Sequence, residues 1–175
     1  MNHVFFITGA ESTGKSALTR ELAEKYGATG IPEFARTYLE ALGRPYTYAD
    51  VEAIARGQAA LITKYRHEPL VFFDTCLIII KVWFREVYQK IPKWIDPEIE
   101  KIGRGVYLLC GPDLPWEDDP LRENPDRREY LNKQYENELN LAGFEYFRVS
   151  GSGSARLDSA VDIVDRILGI KNKNA

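Results

Sequence analysis

Short unbroken apolar runs alternate along the chain with longer stretches in which apolar residues recur every three or four positions. A run of four to eight apolar residues reads as a strand buried on both faces, and the three-to-four spacing reads as one stripe of a helix. Val4 to Thr8, Leu70 to Phe73 closed by Asp74, Val106 to Cys110 and Glu145 to Val149 are expected as strands, with Thr29 to Pro32 as a shorter fifth candidate. Between them, Lys15 to Tyr26 carries Leu18, Leu22 and Tyr26 in helical phase. A second stripe runs through Val51, Ile54, Ala55, Gln58, Leu61, Ile62 and Tyr65, preceded by Thr47 and Asp50 at capping-box spacing. A helix from about Thr75 to Gln89 is apolar over much of its circumference, which places it centrally or at an interface and suggests a homo-oligomer. Asp96-Pro97 has the form of an N-cap and first helical position. A helix from about Asp126 to Ala142 and a last one lined by Leu157, Ala160, Val161, Val164, Ile167 and Leu168 complete the pattern. Lys171 to Ala175 is expected to fray.

Apolar strands alternating with helices imply an α/β fold of three layers, a five-stranded parallel sheet with helices on both faces. A length of 175 residues fits one domain, expected over residues 1–170. In such folds ligands bind beyond the carboxyl ends of the strands. The unusual residues of this chain fall there.

The first strand runs into Gly9-Ala10-Glu11-Ser12-Thr13-Gly14-Lys15-Ser16, a complete G-x-x-x-x-G-K-[ST] phosphate loop followed by a helix. Residue frequencies give such a match by chance in about 1% of chains this long. Glycines let the backbone curl around phosphate oxygens, and the backbone N–H groups and helix N-terminus supply positive potential. Lys15 is expected to reach the β and γ phosphates of ATP and Ser16 to coordinate Mg²⁺. Gly9, Glu11, Ser12, Thr13, Gly14, Lys15, Ser16 and Ala17 are thus candidate ATP-binding residues, with Arg127 a further one from the charged segment.

Composition narrows the class. Twenty-three basic against 26 acidic residues lack the basic excess that general nucleic-acid binding favours. The apolar runs are too short to span a bilayer, and the N-terminus lacks a secretory signal's charged start, so a cytoplasmic protein is expected. Cys76 and Cys110 read as buried, reduced thiols. A GTPase would show Asp-x-x-Gly and Asn-Lys-x-Asp; the first is absent, and Asn132-Lys133 and Asn172-Lys173 lack the trailing Asp. A hydrolytic AAA+ motor would carry Asp-Glu after its second key strand, where this chain has Asp74-Thr75-Cys76. These absences favour a small-molecule kinase.

Asp74 stands where a Walker B carboxylate belongs, and is a candidate metal ligand, acceptor-side base or helix cap. Pro32-Glu33-Phe34-Ala35-Arg36 follows the second strand candidate. Glu33 could take the acceptor's proton or hold ribose hydroxyls, and Arg36 could neutralise phosphate charge. The loop Asp113 to Arg122 has the composition of a lid, with Arg122, Arg127 and Arg128 available to phosphate. Trp116 could stack on a planar or cationic ring, and Asp118 and Asp119 could bind ribose. Ser150 to Ser154 follows the last strand, as an adenine-bordering loop or a plain turn.

The phosphate loop, Pro32-Glu33-Phe34-Ala35-Arg36, Ala55-Arg56-Gly57-Gln58, Phe73-Asp74-Thr75 and Pro115-Trp116-Glu117-Asp118-Asp119-Pro120-Leu121-Arg122 occur in that order. Together they resemble the ribosylnicotinamide kinase domain of NadR-type NAD salvage proteins and its stand-alone AAA-like relatives, over nearly the whole chain. The resemblance implies a nucleoside-kinase-like fold with a lid, ATP and Mg²⁺ as cosubstrates, and phosphorylation of the 5′ hydroxyl of nicotinamide riboside. By position it puts Glu33, Arg36, Trp116, Asp119 and Arg122 among the substrate and lid residues. Two departures stand out: Cys76 replaces a second acidic residue, and the His-x-Gly-His signature of nucleotidyl transfer is absent. A regulatory ATP-binding module, or a kinase for another nucleoside, draws on the same motifs.

Overall fold

The computed structural model describes residues 2–170. The strands are β1 (His3–Gly9), β2 (Thr29–Ile31), β3 (Leu70–Asp74), β4 (Val106–Cys110) and β5 (Glu145–Val149). The helices are α1 (Lys15–Tyr26), α2 (Phe34–Leu42), α3 (Tyr48–Tyr65), α4 (Leu77–Tyr88), α5 (Ile95–Ile102), α6 (Arg128–Ala142) and α7 (Ser154–Leu168). All five strands run parallel in the order β2-β3-β1-β4-β5. This is the α/β architecture expected from the alternating pattern.

Side chains alternate across the sheet, so neighbours in sequence enter opposite cores. Phe6, Phe73 and Tyr107 face the α3, α4 and α5 side, whereas Phe5, Phe72 and Leu108 face α1 and α7. The register aligns Phe5 with Phe72 and Phe6 with Phe73. It thereby stacks Phe5 on Phe72 at 5.2 Å and Phe6 between Phe73 and Tyr107 at 5.4 and 4.7 Å. These aromatic ladders fix β3, β1 and β4 side by side, and so fix where their carboxyl ends meet.

Four details differ from the sequence reading. First, α2 forms a separate helix directly after Glu33. Its stripe of Phe34, Ala35, Tyr38 and Leu39 spans barely two turns, and Gly43 at φ 66° ends it. Second, α4 begins at Leu77, because Thr75 adopts φ 76° and Cys76 is extended. Third, Asp96-Pro97 lies inside the first turn of α5, whose N-cap is Trp94. Proline is tolerated there because first-turn N–H groups have no helical partner, and Asp96 pairs with Lys81 at 2.7 Å. Fourth, a 3-10 turn at Pro125–Arg127 leads into α6. The capping box holds: the Thr47 N–H donates to the Asp50 carboxylate at 2.8 Å.

The apolar circumference of α4 is covered within the chain by α3, α5 and α6, with Leu77, Ile78, Ile80, Val82 and Phe84 buried. The feature that suggested an oligomer is therefore met by intrachain packing. Cys76 and Cys110 are buried free thiols. Among the described residues no helix is long and apolar enough to cross a membrane. The expected fraying of Lys171 to Ala175 falls outside the described residues.

Candidate active site

The phosphate loop connects β1 to α1 at the centre of the sheet. Gly9 has φ 139°, and a Cβ there would stand 2.7 Å from the Cys110 carbonyl oxygen, so the close passage of the loop over β4 requires glycine. Ser12 at φ 52° and Gly14 at φ 76° complete the curl. The Lys15 ammonium and the Thr13 hydroxyl both donate to the Ala10 carbonyl, at 2.8 and 2.7 Å. Asn132 on α6 clamps the loop from the side: its Oδ1 accepts from the Ala10 N–H at 2.7 Å and its Nδ2 donates to the Cys110 carbonyl at 2.8 Å.

Asp74 ends β3 opposite Ile7 of β1, beside the loop. It is only 2% exposed. Burial pushes its carboxyl above the ordinary range, opposed by the Lys15 charge and the Ser16 hydroxyl. Its Oδ1 has no hydrogen-bond partner. An unsatisfied buried carboxylate oxygen is costly, and a cation or a water bound to one would satisfy it. The donor set also suits Mg²⁺, which takes one or two carboxylates and completes its shell with phosphates and water. Ser16 and Asp74 therefore fit the metal expected from the sequence.

Glu33 lies across from Asp74, immediately before α2. Desolvation raises its pKa, while Lys15 and then Arg36 pull it down and Asp74 pushes it further up. Gln58, fully buried on α3, explains how the two carboxylates come together. Its Oε1 accepts from the Phe34 N–H at 3.1 Å, and its Nε2 donates to the Thr75 carbonyl at 3.3 Å. One side-chain amide thus ties the start of α2 to the end of β3. Gly57 beside it leaves room for the Phe34 ring, which would lie 2.2 Å from a Cβ at that position. The Ala55-Arg56-Gly57-Gln58 segment is thus a brace under the site.

A cavity of about 520 Å³ is lined by the phosphate loop, by Glu33 and Arg36, and by a second wall. That wall carries Tyr46, Trp83, Glu86, Glu123 and Tyr135. Tyr46 and Trp83 meet edge to face at 5.0 Å, the Trp83 indole N–H donates to the Tyr46 oxygen at 3.3 Å, and the Tyr46 hydroxyl donates to Glu123 at 2.8 Å. Burial and then the Glu123 carboxylate push the Tyr46 phenol up to about 12. Nothing in the spacing of Tyr46, Trp83, Glu86, Glu123 and Tyr135 marks this wall in the sequence. The only trace was that the α4 stripe is richer in apolar residues than one core face needs.

The segment Asp113 to Asn124 covers the loop as the lid composition implied. Arg122 donates to Ser12 Oγ at 2.7 Å, and the Glu11 carboxylate accepts from the Asn124 N–H at 2.9 Å. Arg128 reaches the Leu114 carbonyl at 2.8 Å. Asp119 pairs with Arg36 at 2.8 Å across 83 residues of chain, holding that guanidinium at the cavity.

Gly9, Glu11 to Ala17, Glu33, Arg36, Arg122 and Arg127 all line the one cavity. Asp74 sits buried beneath it. Arg127 is held by Glu86 at 2.6 Å. Trp116 stands outside, in a shallow groove with Asp118, Asp119 and Arg122, its indole N–H on the Asp118 carboxylate at 3.0 Å. The Ser150 to Ser154 loop does not line the cavity; Gly151 is tied to Asp113 at 2.6 Å.

A family model described as an AAA domain matches residues 4–156. The trifunctional NAD biosynthesis/regulator protein NadR of Escherichia coli K12 is 28% identical over 174 residues, covering 93% of this chain. The chain spans 42% of that relative's length. A crystal structure of a NadR protein in complex with NR superposes with a TM-score of 0.79 at 24% identity, over 99% of this chain and 54% of that one. Deoxyadenosine kinase from M. mycoides superposes with a TM-score of 0.62 at 13% identity, over 93% of this chain and 99% of that one. At these identities the structural matches establish a shared fold.

Proposed function

The chain belongs to the AAA-domain family, and from that premise we propose that it is an ATP-dependent kinase acting on the 5′ hydroxyl of nicotinamide riboside. The products are nicotinamide mononucleotide and ADP, a step of NAD salvage. One observation carries the reading: a phosphate loop and a set of aromatic and acidic side chains line a single cavity. A cationic pyridinium ring suits aromatic faces backed by carboxylates, which Tyr46, Trp83, Glu86 and Glu123 supply. Similarity to NadR over 93% of the chain supports the same acceptor. Residues 1–170 are taken as one kinase domain, working in the cytoplasm.

In this mechanism the backbone of Gly9 to Ser16 holds the phosphates and Lys15 compensates the charge on the β and γ groups. Ser16 and Asp74 would hold Mg²⁺, which would supply positive charge to offset the phosphate charge. Glu33 lines the cavity and Asp74 does not, so Glu33 is taken as the proton acceptor. The 5′ oxygen bonds to the γ phosphorus, the bond from that phosphorus to the β–γ bridging oxygen breaks, the hydroxyl proton passes to Glu33, and ADP leaves. Arg36, steadied by Asp119, and Arg122 balance the developing charge, while the lid excludes water. Arg127, paired with Glu86 at the cavity, is kept as a candidate contact for ATP. Trp116 and Asp119 contribute as lid residues.

A regulatory module that only binds or slowly hydrolyses ATP would have no use for the second wall. Product chemistry separates the readings. Nicotinamide mononucleotide formed in step with ADP supports this one. Inorganic phosphate alone points to the module, and faster turnover of another nucleoside changes the acceptor.

A further inference from the structure

One buried charge has no part in the chemistry above. Arg156 is 4% exposed and lies in the first turn of α7. A cation is disfavoured there twice, by the positive end of the helix dipole and by loss of water. Its guanidinium is nevertheless fully engaged at both ends. Nη2 donates to the Thr13 carbonyl at 2.7 Å and to the Gly111 carbonyl at 2.9 Å. Nη1 donates to Asp113 Oδ1 at 2.7 Å and to the Gly151 carbonyl at 2.8 Å. Only Nε lacks a partner.

The bond to Thr13 has a directional consequence. A trans peptide is planar, with its C=O and N–H pointing in opposite directions. Drawing the Thr13 carbonyl toward Arg156 therefore turns the N–H of Gly14 away from it, and Gly14 lines the cavity. We propose that Arg156 is a positioning residue for ATP: it sets the Thr13–Gly14 peptide so that the Gly14 N–H is aimed at phosphate before the nucleotide arrives, and Asp113 holds the guanidinium in place. Four acceptors on three separate loops match a planar fork and not a single ammonium, so lysine does not substitute for it. The inference depends on ATP binding at the phosphate loop and not on the identity of the acceptor.

The test is calorimetric titration of the full chain with ATP and Mg²⁺ in the absence of acceptor, alongside thermal melting without nucleotide. Arg156→Lys is expected to weaken ATP binding at least ~10-fold, as loss of oriented, charge-assisted bonds implies. Inorganic tripolyphosphate, which has no base to recognise, is expected to weaken by a similar factor. Asp113→Asn, which keeps the arginine, is expected to weaken ATP roughly threefold. A merely structural arginine would lower the melting midpoint and leave the ATP affinity of the folded variant within about twofold of wild type. That result would overturn the proposal. Should Arg156→Lys not fold, Asp113→Asn decides alone: roughly threefold weaker binding supports the role, and unchanged binding refutes it.

Discussion

The two ends of the cavity are built on opposite plans. The phosphate end is eight consecutive residues, Gly9 to Ser16, whose shape follows from local backbone geometry at Gly9, Ser12 and Gly14. The acceptor end is assembled from Glu33 before α2, Tyr46 in a loop, Trp83 and Glu86 on α4, Glu123 in the lid and Tyr135 on α6. A backbone-made site tolerates many side chains but few backbone shapes. A side-chain-made site depends on each residue and on the packing that aims it. The difference predicts a gradient of mutational effects.

The largest effect falls on the phosphate end. Lys15→Ala should remove at least ~3 kcal/mol of transition-state stabilisation, a loss of kcat/KM above ~100-fold. Near-normal turnover would break the assignment of the loop. Glu33→Gln should cost about 100-fold in kcat, the scale of a lost general base. The pH dependence follows from the same group. Desolvation raises the Glu33 pKa, and the base works only when ionised. Activity should therefore fall as pH drops through a value above the ordinary glutamate range, and Glu33→Gln should abolish that limb in a pH profile.

Next comes the aromatic wall. Trp83→Ala should raise the acceptor KM about tenfold and leave the KM for ATP unchanged, since it removes a ring face worth about 1–2 kcal/mol. Equal changes in both constants would mean that the two ends are not separate. Gly57→Ala acts one layer deeper. It pushes the Phe34 ring off its seat, so an overpacking loss of about 1–3 kcal/mol in urea unfolding is expected, with kcat reduced as Glu33 shifts. The smallest effect belongs to Trp116→Ala. The indole lies outside the cavity, and steady-state constants should stay within about twofold. A large loss would show that the lid carries Trp116 inward during turnover.

The same contrast governs what the sequence discloses. Buried parallel strands are apolar on both faces, so β1, β3 and β4 were legible as runs and their register sets the aromatic ladders, whereas the three-residue β2 and the half-exposed edge strand β5 left weaker signals. The phosphate loop was legible because its chemistry is contiguous. Gln58 sat visibly on an apolar stripe, yet its job of joining Phe34 to Thr75 needs α2 and β3 to be placed first. Asn132 looked like half of a nucleotide-specificity motif and is instead a clamp on Ala10. Arg156 interrupts no pattern, since one charge at a helix start is ordinary until its burial is known. The Tyr46–Trp83 contact joins residues 37 apart and left no spacing to detect.

The most direct test of the central claim is a coupled assay of ADP release with ATP and Mg²⁺, comparing nicotinamide riboside with common nucleosides and identifying the product by mass spectrometry. The account predicts strong stimulation by nicotinamide riboside, with nicotinamide mononucleotide formed mole for mole with ADP. No stimulation by nicotinamide riboside, from folded protein that still binds ATP, would contradict it.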